Sequence, residues 1–358
     1  MRLFDLLKSS PPEKRRLITG TVRPVFPPTK LWFAIGLSGA VAAAFFVSST
    51  AHAENSYTTL DAPAAGNPPF NGGTSVTGIS GSNIFGTYSV PNGSSQGFIY
   101  NGVTYTDLNV PFPSTVSTGV SGISGDQIVG DYTTEAIING TDTFTSNGFL
   151  YSSGAYTTID DPLGSTTGLS GISDGNIVGE FQEGDTFHGF LYNGSSYITI
   201  DDPLGVETFV RGISGSDIVG FYTDANGNCH GFLYNGSTYS TIDHPGAEDG
   251  STKIFGISGG DIVGFYTDAS LTSHGFYYDG DTYTDIDDPS AVNNATLAYG
   301  VDGNAVVGTY YDANNTAHGF ETIISPVPEP ASPLLTSAGA AGLIWLRRKR
   351  RTESQLET

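Results

Sequence analysis

Between Gly78 and Phe320 apolar and polar residues alternate in short runs that glycine interrupts every few positions, and no segment there carries a helical period. The pattern predicts an all-β chain. One unit of roughly 41–49 residues recurs six times, and the fourth copy shows it most fully. Gly212-Ile213-Ser214 ends a first strand, and Asp217-Ile218-Val219-Gly220-Phe221-Tyr222 forms a second. His230-Gly231-Phe232-Leu233-Tyr234 forms a third, and Tyr239-Ser240-Thr241-Ile242-Asp243 a fourth. Between the third and fourth strands stand Asn101-Gly102, Asn193-Gly194, Asn235-Gly236 or Asp279-Gly280. Such pairs predict two-residue hairpin turns, because both positions tolerate positive φ. With Asn235-Gly236 as the loop, Phe232 is expected opposite Tyr239, an aromatic cross-strand pair.

The sixth copy ends at His318-Gly319-Phe320 without its fourth strand, and that strand stands alone near the other end as Tyr57-Thr58-Thr59-Leu60-Asp61. Four strands in about 42 residues is the size of one propeller blade. A β-solenoid is the alternative, but a stack of repeats needs caps and has no reason to divide one repeat between its ends. The expectation is a six-bladed β-propeller over residues 54–324, in which Ser56–Pro63 completes the blade formed by Tyr299–Ile324.

Residues 1–53 read as an export signal. Seven basic residues precede an apolar run from Leu31 to Val47, and Ala51-His52-Ala53 offers a small-x-small cleavage site. Five more cations, Arg347 to Arg351, follow an apolar stretch from Ala331 to Leu346. Between Glu54 and Leu346 only Arg211 and Lys253 remain against 32 Asp and Glu, a formal charge of −30. Nucleic acid and anionic lipid are excluded as partners, since binding them would add repulsion instead of releasing counterions. Cations and neutral or cationic polymers remain. Cys229 is the only cysteine, so no intrachain disulfide forms, and it reads as an incidental thiol.

The C-terminal order of Val327-Pro328-Glu329-Pro330, apolar stretch and basic cluster resembles the PEP-CTERM sorting signal of Gram-negative bacteria. The resemblance implies processing near Pro328, Glu329 and Pro330 by a membrane-embedded exosortase, with the basic cluster on the cytoplasmic side, and delivery to the cell envelope, cell surface or extracellular matrix. The pattern Gly-Ile-Ser, Asp-Ile-Val-Gly-Phe-Tyr, His-Gly-Phe-Leu-Tyr-Asn-Gly is similar to the extracellular HAF-type repeat, with Gly231 where that family carries Ala. That likeness implies extracellular placement more than an activity.

Several constellations could carry chemistry. His188, His230, His274 and His318 occupy one position in four copies, but spread around a ring they cannot share a zinc ion whose nitrogens lie ~2 Å from the metal. A strand-to-strand or loop hydrogen bond is the expected use. Asp61, Asp160, Asp201, Asp243 and Asp287 end the fourth strands, often before another Asp and a Pro, which is how a turn device looks. Asp224, Asn226 and Asn228 resemble half a calcium loop without the distal Glu, or an ordinary Asx-rich hairpin loop. Arg211 and Lys253 fall on the same face of adjacent first strands. There they could hold an anionic ligand such as a uronate or pair internally with acids. Three readings follow: a non-enzymatic binding or structural protein of the surface or exopolysaccharide, a polysaccharide-active enzyme, and a calcium-dependent adhesin. The enzyme would need a convergent carboxylate pair facing the channel, one with a raised pKa.

Overall fold

The computed structural model describes residues 55–324 apart from 64, 66–72, 91–92, 139–140 and 293–294, and every extended element among them is a β-strand. They form six four-stranded antiparallel sheets. In the fourth, β14 (Glu207–Ser214), β15 (Asp217–Thr223), β16 (Cys229–Tyr234) and β17 (Tyr239–Ile242) pair in chain order. Five sheets are continuous in sequence. The sixth takes β22 (Thr296–Asp302), β23 (Ala305–Tyr311) and β24 (Ala317–Ile323) and is completed by β1 (Tyr57–Leu60). Tyr57 pairs with Thr322 and Leu60 with Gly319. The expected six-bladed propeller and its closure are therefore seen directly. The export signal and the C-terminal tail lie outside the described residues, among which no helix is long and apolar enough to cross a membrane.

The core lies between blades. Phe98, Phe149, Phe190, Phe232, Phe276 and Phe320, one per blade, are fully buried. Phe232 shares its cluster with Val210 of its own blade and with Val178 and Ile200 of the preceding one. Burying such a ring stabilises the fold by about 2–3 kcal/mol per Phe. Six threonines at the starts of the first strands repeat as regularly. Thr74, Thr118, Thr167, Thr208, Thr252 and Thr296 are buried, and each hydroxyl accepts the backbone N–H of Ala62, Val110, Asp161, Asp202, His244 or Asp288 in the incoming linker. Each blade is thus tied to its predecessor by a satisfied buried polar group.

The hairpins between third and fourth strands differ from the expectation. Tyr234 pairs with Tyr239 and Phe232 with Thr241, so Asn235, Gly236, Ser237 and Thr238 form a four-residue loop. The Asn235 side-chain oxygen accepts the N–H groups of Ser237 and Thr238, and Gly236 takes φ +89°. An Asx turn ahead of the glycine competes with the two-residue turn and moves the register by two. Phe232 and Tyr239 still touch, as a diagonal pair with centroids 5.8 Å apart, beside the directly paired Tyr234 and Tyr239 at 4.5 Å.

Candidate functional site

Every first strand carries a β-bulge at the same place. The register slips between Val76 and Gly78, Val120 and Gly122, Leu169 and Gly171, Val210 and Gly212, Ile254 and Gly256, and Ala298 and Gly300. The skipped residues are Thr77, Ser121, Ser170, Arg211, Phe255 and Tyr299, all of which line one cavity of about 580 Å³ where the first strands of the six blades meet. A bulge leaves its extra residue outside the ladder and re-aims the side chain. In blades 5 and 6 the glycine that follows is required by crowding, since a Cβ on Gly256 would lie 2.7 Å from Tyr299 O and one on Gly300 2.7 Å from the Cα of Gly78 in the next blade. The frame and the Gly-Ile-Ser side chains that line the cavity repeat, whereas the bulged side chain beside them varies from blade to blade.

Two acids join them from second strands. Asp131 lies in β7 (Gln127–Ile138) and Glu180 in β11 (Asn176–Glu183), each directly after the glycine of the Ile-Val-Gly run. A Cβ on Gly168 would lie 3.8 Å from Glu180 Oε1 and 3.9 Å from Asp131 Oδ1. The two carboxylates thus face each other across one glycine, no farther apart than the ~9 Å that carboxylate pairs span in glycosidases. Leu169 N–H donates to Asp131 Oδ1 at 2.8 Å. Burial pushes the Asp131 carboxyl up to about 7; the Leu169 hydrogen bond and Arg211 oppose the rise, and the charges of Glu180 and Asp160 add to it. Burial also raises Glu180, against the pull of Arg211. Both line the cavity but are only partly exposed there, so each carboxyl loses much of its hydration.

Arg211 Nη2 lies 3.0 Å from Glu180 Oε2, with the side chains 25% and 20% exposed. The contact is an ion pair by distance but off the hydrogen-bond angle, for Glu180 Oε2 and Arg211 Nε are both buried without an aligned hydrogen-bond partner. The guanidinium carbon also sits 5.4–5.6 Å from the rings of Phe209, Phe221 and Phe255. Lys253 Nζ lies 5.1 Å from the same Phe221 ring. Both expected cations therefore converge on Phe221, and Arg211 is paired internally, with Glu180 as the partner.

The remaining constellations fall on the outer strands. The histidine and aspartate rings prove to be each other's partners. His188 Nδ1 meets Asp201 at 2.8 Å, His230 meets Asp243 at 2.8 Å, His274 meets Asp287 at 3.0 Å and His318 meets Asp61 at 3.0 Å. The last contact joins β24 to the closing N-terminal strand. The second aspartates work as turn devices, with Asp161, Asp202 and Asp288 accepting the N–H groups of Leu163, Leu204 and Ser290. Asp224 Oδ1 accepts Asn226 N–H at 2.8 Å and Asn228 N–H at 2.9 Å, and the Asn228 amide heads the bonds that hold its carboxyl below the usual range. Among the described residues no group of three or more His, Cys, Asp or Glu is placed to hold a metal ion. Cys229 is half-buried at the edge of β16, its N–H bonded to Gly250 O.

Asp131 and Glu180 belong to neither the repeated His column nor the repeated Asp column of the unit, and each stands one strand beyond its Gly-Ile-Ser. After the second-strand glycine the six copies read Thr87, Asp131, Glu180, Phe221, Phe265 and Thr309, four residue types in a unit that otherwise repeats closely there.

No protein-family model and no curated protein matches the chain. Solved structures with a similar arrangement include the six-bladed fungal lectin of Aleuria aurantia, at 14% identity over 65% of this chain and 77% of that one, with a TM-score of 0.39. TolB from Acinetobacter baumannii aligns at 14% identity over 69% and 65%, with a TM-score of 0.44. The β-propeller domain of the trilobed protease from Pyrococcus furiosus aligns at 10% identity over 71% and 96%, with a TM-score of 0.40. They accompany the propeller assignment, which rests on this chain's own sheet order, and carry nothing about its ligand.

Proposed function

We propose that this protein is an exported, acidic β-propeller acting as a non-enzymatic binding module of the cell surface or exopolysaccharide matrix, with its ligand in the channel mouth. One observation carries the binding role: on a frame repeated six times, the bulged position that lines the cavity holds five residue types in six copies, and Asp131 and Glu180 join it from two second strands. Selection for folding alone favours the same residue in each copy, as the six buried phenylalanines illustrate. Export is supported by the N-terminal signal and by the tail resembling a sorting signal, whose processing partner would be an exosortase-type enzyme. The formal charge of −30 between Glu54 and Leu346 suits solubility outside the cell. The test is a glycan-array and matrix pull-down with the protein as secreted. Binding that Phe255→Ala or Arg211→Ala weakens at least tenfold supports the channel; binding indifferent to both overturns it.

A polysaccharide-active enzyme is a second reading, and the Asp131–Glu180 pair favours it: one carboxyl is held near neutrality while its neighbour is charge-paired. In that reading Asp131→Asn and Glu180→Gln each abolish release of reducing ends from a polysaccharide substrate. Absence of such release by the unsubstituted protein across a polysaccharide panel removes it.

A further inference from the structure

The cavity wall has two unlike halves. Blades 2 and 3 supply Ser121, Gly168 and Ser170 with Asp131 and Glu180, a wall of small and acidic residues. Blades 5 and 6 supply Phe255 and Tyr299, whose centroids lie 5.0 Å apart at 81° to form an aromatic corner. In a ring of six, blade 2 faces blade 5 and blade 3 faces blade 6. The acids therefore look across the cavity at the rings.

Charge within the mouth does not balance. Arg211 stands against Glu180 at 3.0 Å, so the ionised cavity keeps uncompensated negative charge on Asp131 beside that pair and on Asp302 in blade 6, whose carboxylate accepts Gly81 N–H. The Arg211–Glu180 pair is itself poorly aligned, with a buried carboxylate oxygen and a buried guanidinium nitrogen lacking hydrogen-bond partners. Those two atoms are closed off, but the side chains are still 25% and 20% exposed, so a hydroxyl in the cavity could donate to the outer carboxylate oxygen and accept from the exposed guanidinium N–H. The mouth thus offers an acid for a cation, a donor–acceptor pair for a hydroxyl, and an apolar corner for the flat face of a ring. A volume of about 580 Å³ accommodates a sugar unit or two.

We propose that the channel mouth recognises an amino sugar: the ammonium against Asp131, a ring hydroxyl at Glu180 and Arg211, and the apolar face of the sugar on Phe255 and Tyr299. The inference rests on the channel-binding reading and adds the ligand class. It fits the charge of the whole domain, which repels a uronate polymer and attracts a partly deacetylated hexosamine polymer. The groups that set the ionisation of Asp131 are Glu180, Asp160, Arg211 and the Leu169 N–H. An ammonium bound there favours the carboxylate, so binding releases a proton and affinity rises with pH until the amine itself deprotonates.

The test is calorimetric titration of the intact protein with three oligomers of equal length: glucosamine, N-acetylglucosamine and glucuronate. The expected result is at least tenfold tighter binding of the glucosamine oligomer. Its affinity should rise about tenfold between about pH 5.5 and 7, since Asp131 titrates across that range. Asp131→Asn should bring the amino and acetylated oligomers to the same affinity and remove the pH slope. Equal binding of those two by the unsubstituted protein overturns the amino-sugar inference, yet leaves the channel reading standing if Phe255→Ala weakens both. Tighter binding of glucuronate overturns it in favour of an anionic site at Arg211. If none of the three binds, the inference fails, and the glycan array then decides the broader reading separately.

Discussion

In the outer half of the blades one set of residues recurs with the same partners in four copies of six; at the bulge of the inner strand the same backbone recurs with different residues. His188, His230, His274 and His318 each meet a fourth-strand aspartate, and every third strand buries its phenylalanine. At the bulge, by contrast, the copies read Thr, Ser, Ser, Arg, Phe and Tyr. A ring needs identical contacts between successive blades, so interblade positions are held to one solution. The first strands also touch the next blade in a repeated way, as where Gly215 N–H and Gly259 N–H donate to Ser173 and Ser214 of the preceding blades, but the bulged side chain stands outside the ladder and is free to be specialised blade by blade. The least repeated positions are the ones to test for function.

The largest expected effect concerns the frame. Deleting Ser56–Pro63 removes β1 with its buried Leu60 and Ala62 and leaves the last blade with three strands. The chain should lose several kcal/mol and melt more than about 10 °C lower in one cooperative transition. A drop of only a few degrees on a thermal melt would contradict a ring whose blades depend on closure.

Next comes the channel. Asp131 titrates higher in the fold than the ~3.9 of an unfolded chain, so the native state binds its proton more tightly and stability falls as pH rises from about 4 through 7. Asp131→Asn removes that cost. At about pH 8 it should gain of order 1–2 kcal/mol, or a few degrees, with little change at about pH 5. Equal effects at both pH values would show that the carboxyl is not held protonated.

Smaller still is the outer clasp. Burial alone would lower His274, but the hydrogen bond to Asp287 and the charges of Asp287 and Asp268 raise it overall. Its stabilisation is full below about pH 6.5 and is lost as pH rises through the folded value. His274→Gln should therefore cost up to about 1 kcal/mol in acid and almost nothing in mild alkali. A cost independent of pH would assign the residue to packing on Tyr266, 5.3 Å away.

The smallest effect is expected at the Asp224 loop, whose carboxylate is already engaged by Asn226 and Asn228. A chelator should leave the melting temperature unchanged within about 1 °C. A fall of several degrees that calcium reverses would make the loop a metal site and support the adhesin reading.

Strand type, blade number and ring closure were legible along the chain, because each depends on local alternation or on counting copies. The unpaired Tyr57–Leu60 strand and the truncated sixth copy implied each other before any coordinates. The hairpin register was not legible: Asn235-Gly236 supports both a two-residue turn and an Asx-led four-residue loop, and only the paired strands choose between them. Nor was the His–Asp pairing visible, since its partners are thirteen residues apart in three blades and at opposite ends of the domain in the sixth. The channel site is the clearest case. Asp131, Glu180 and Arg211 come from three blades and two strand positions, and they meet because a bulge turns one residue inward while ring curvature closes the gap between neighbouring sheets. Local sequence determines where a strand and its bulge form; which side chains then share one cavity is a property of the closed ring.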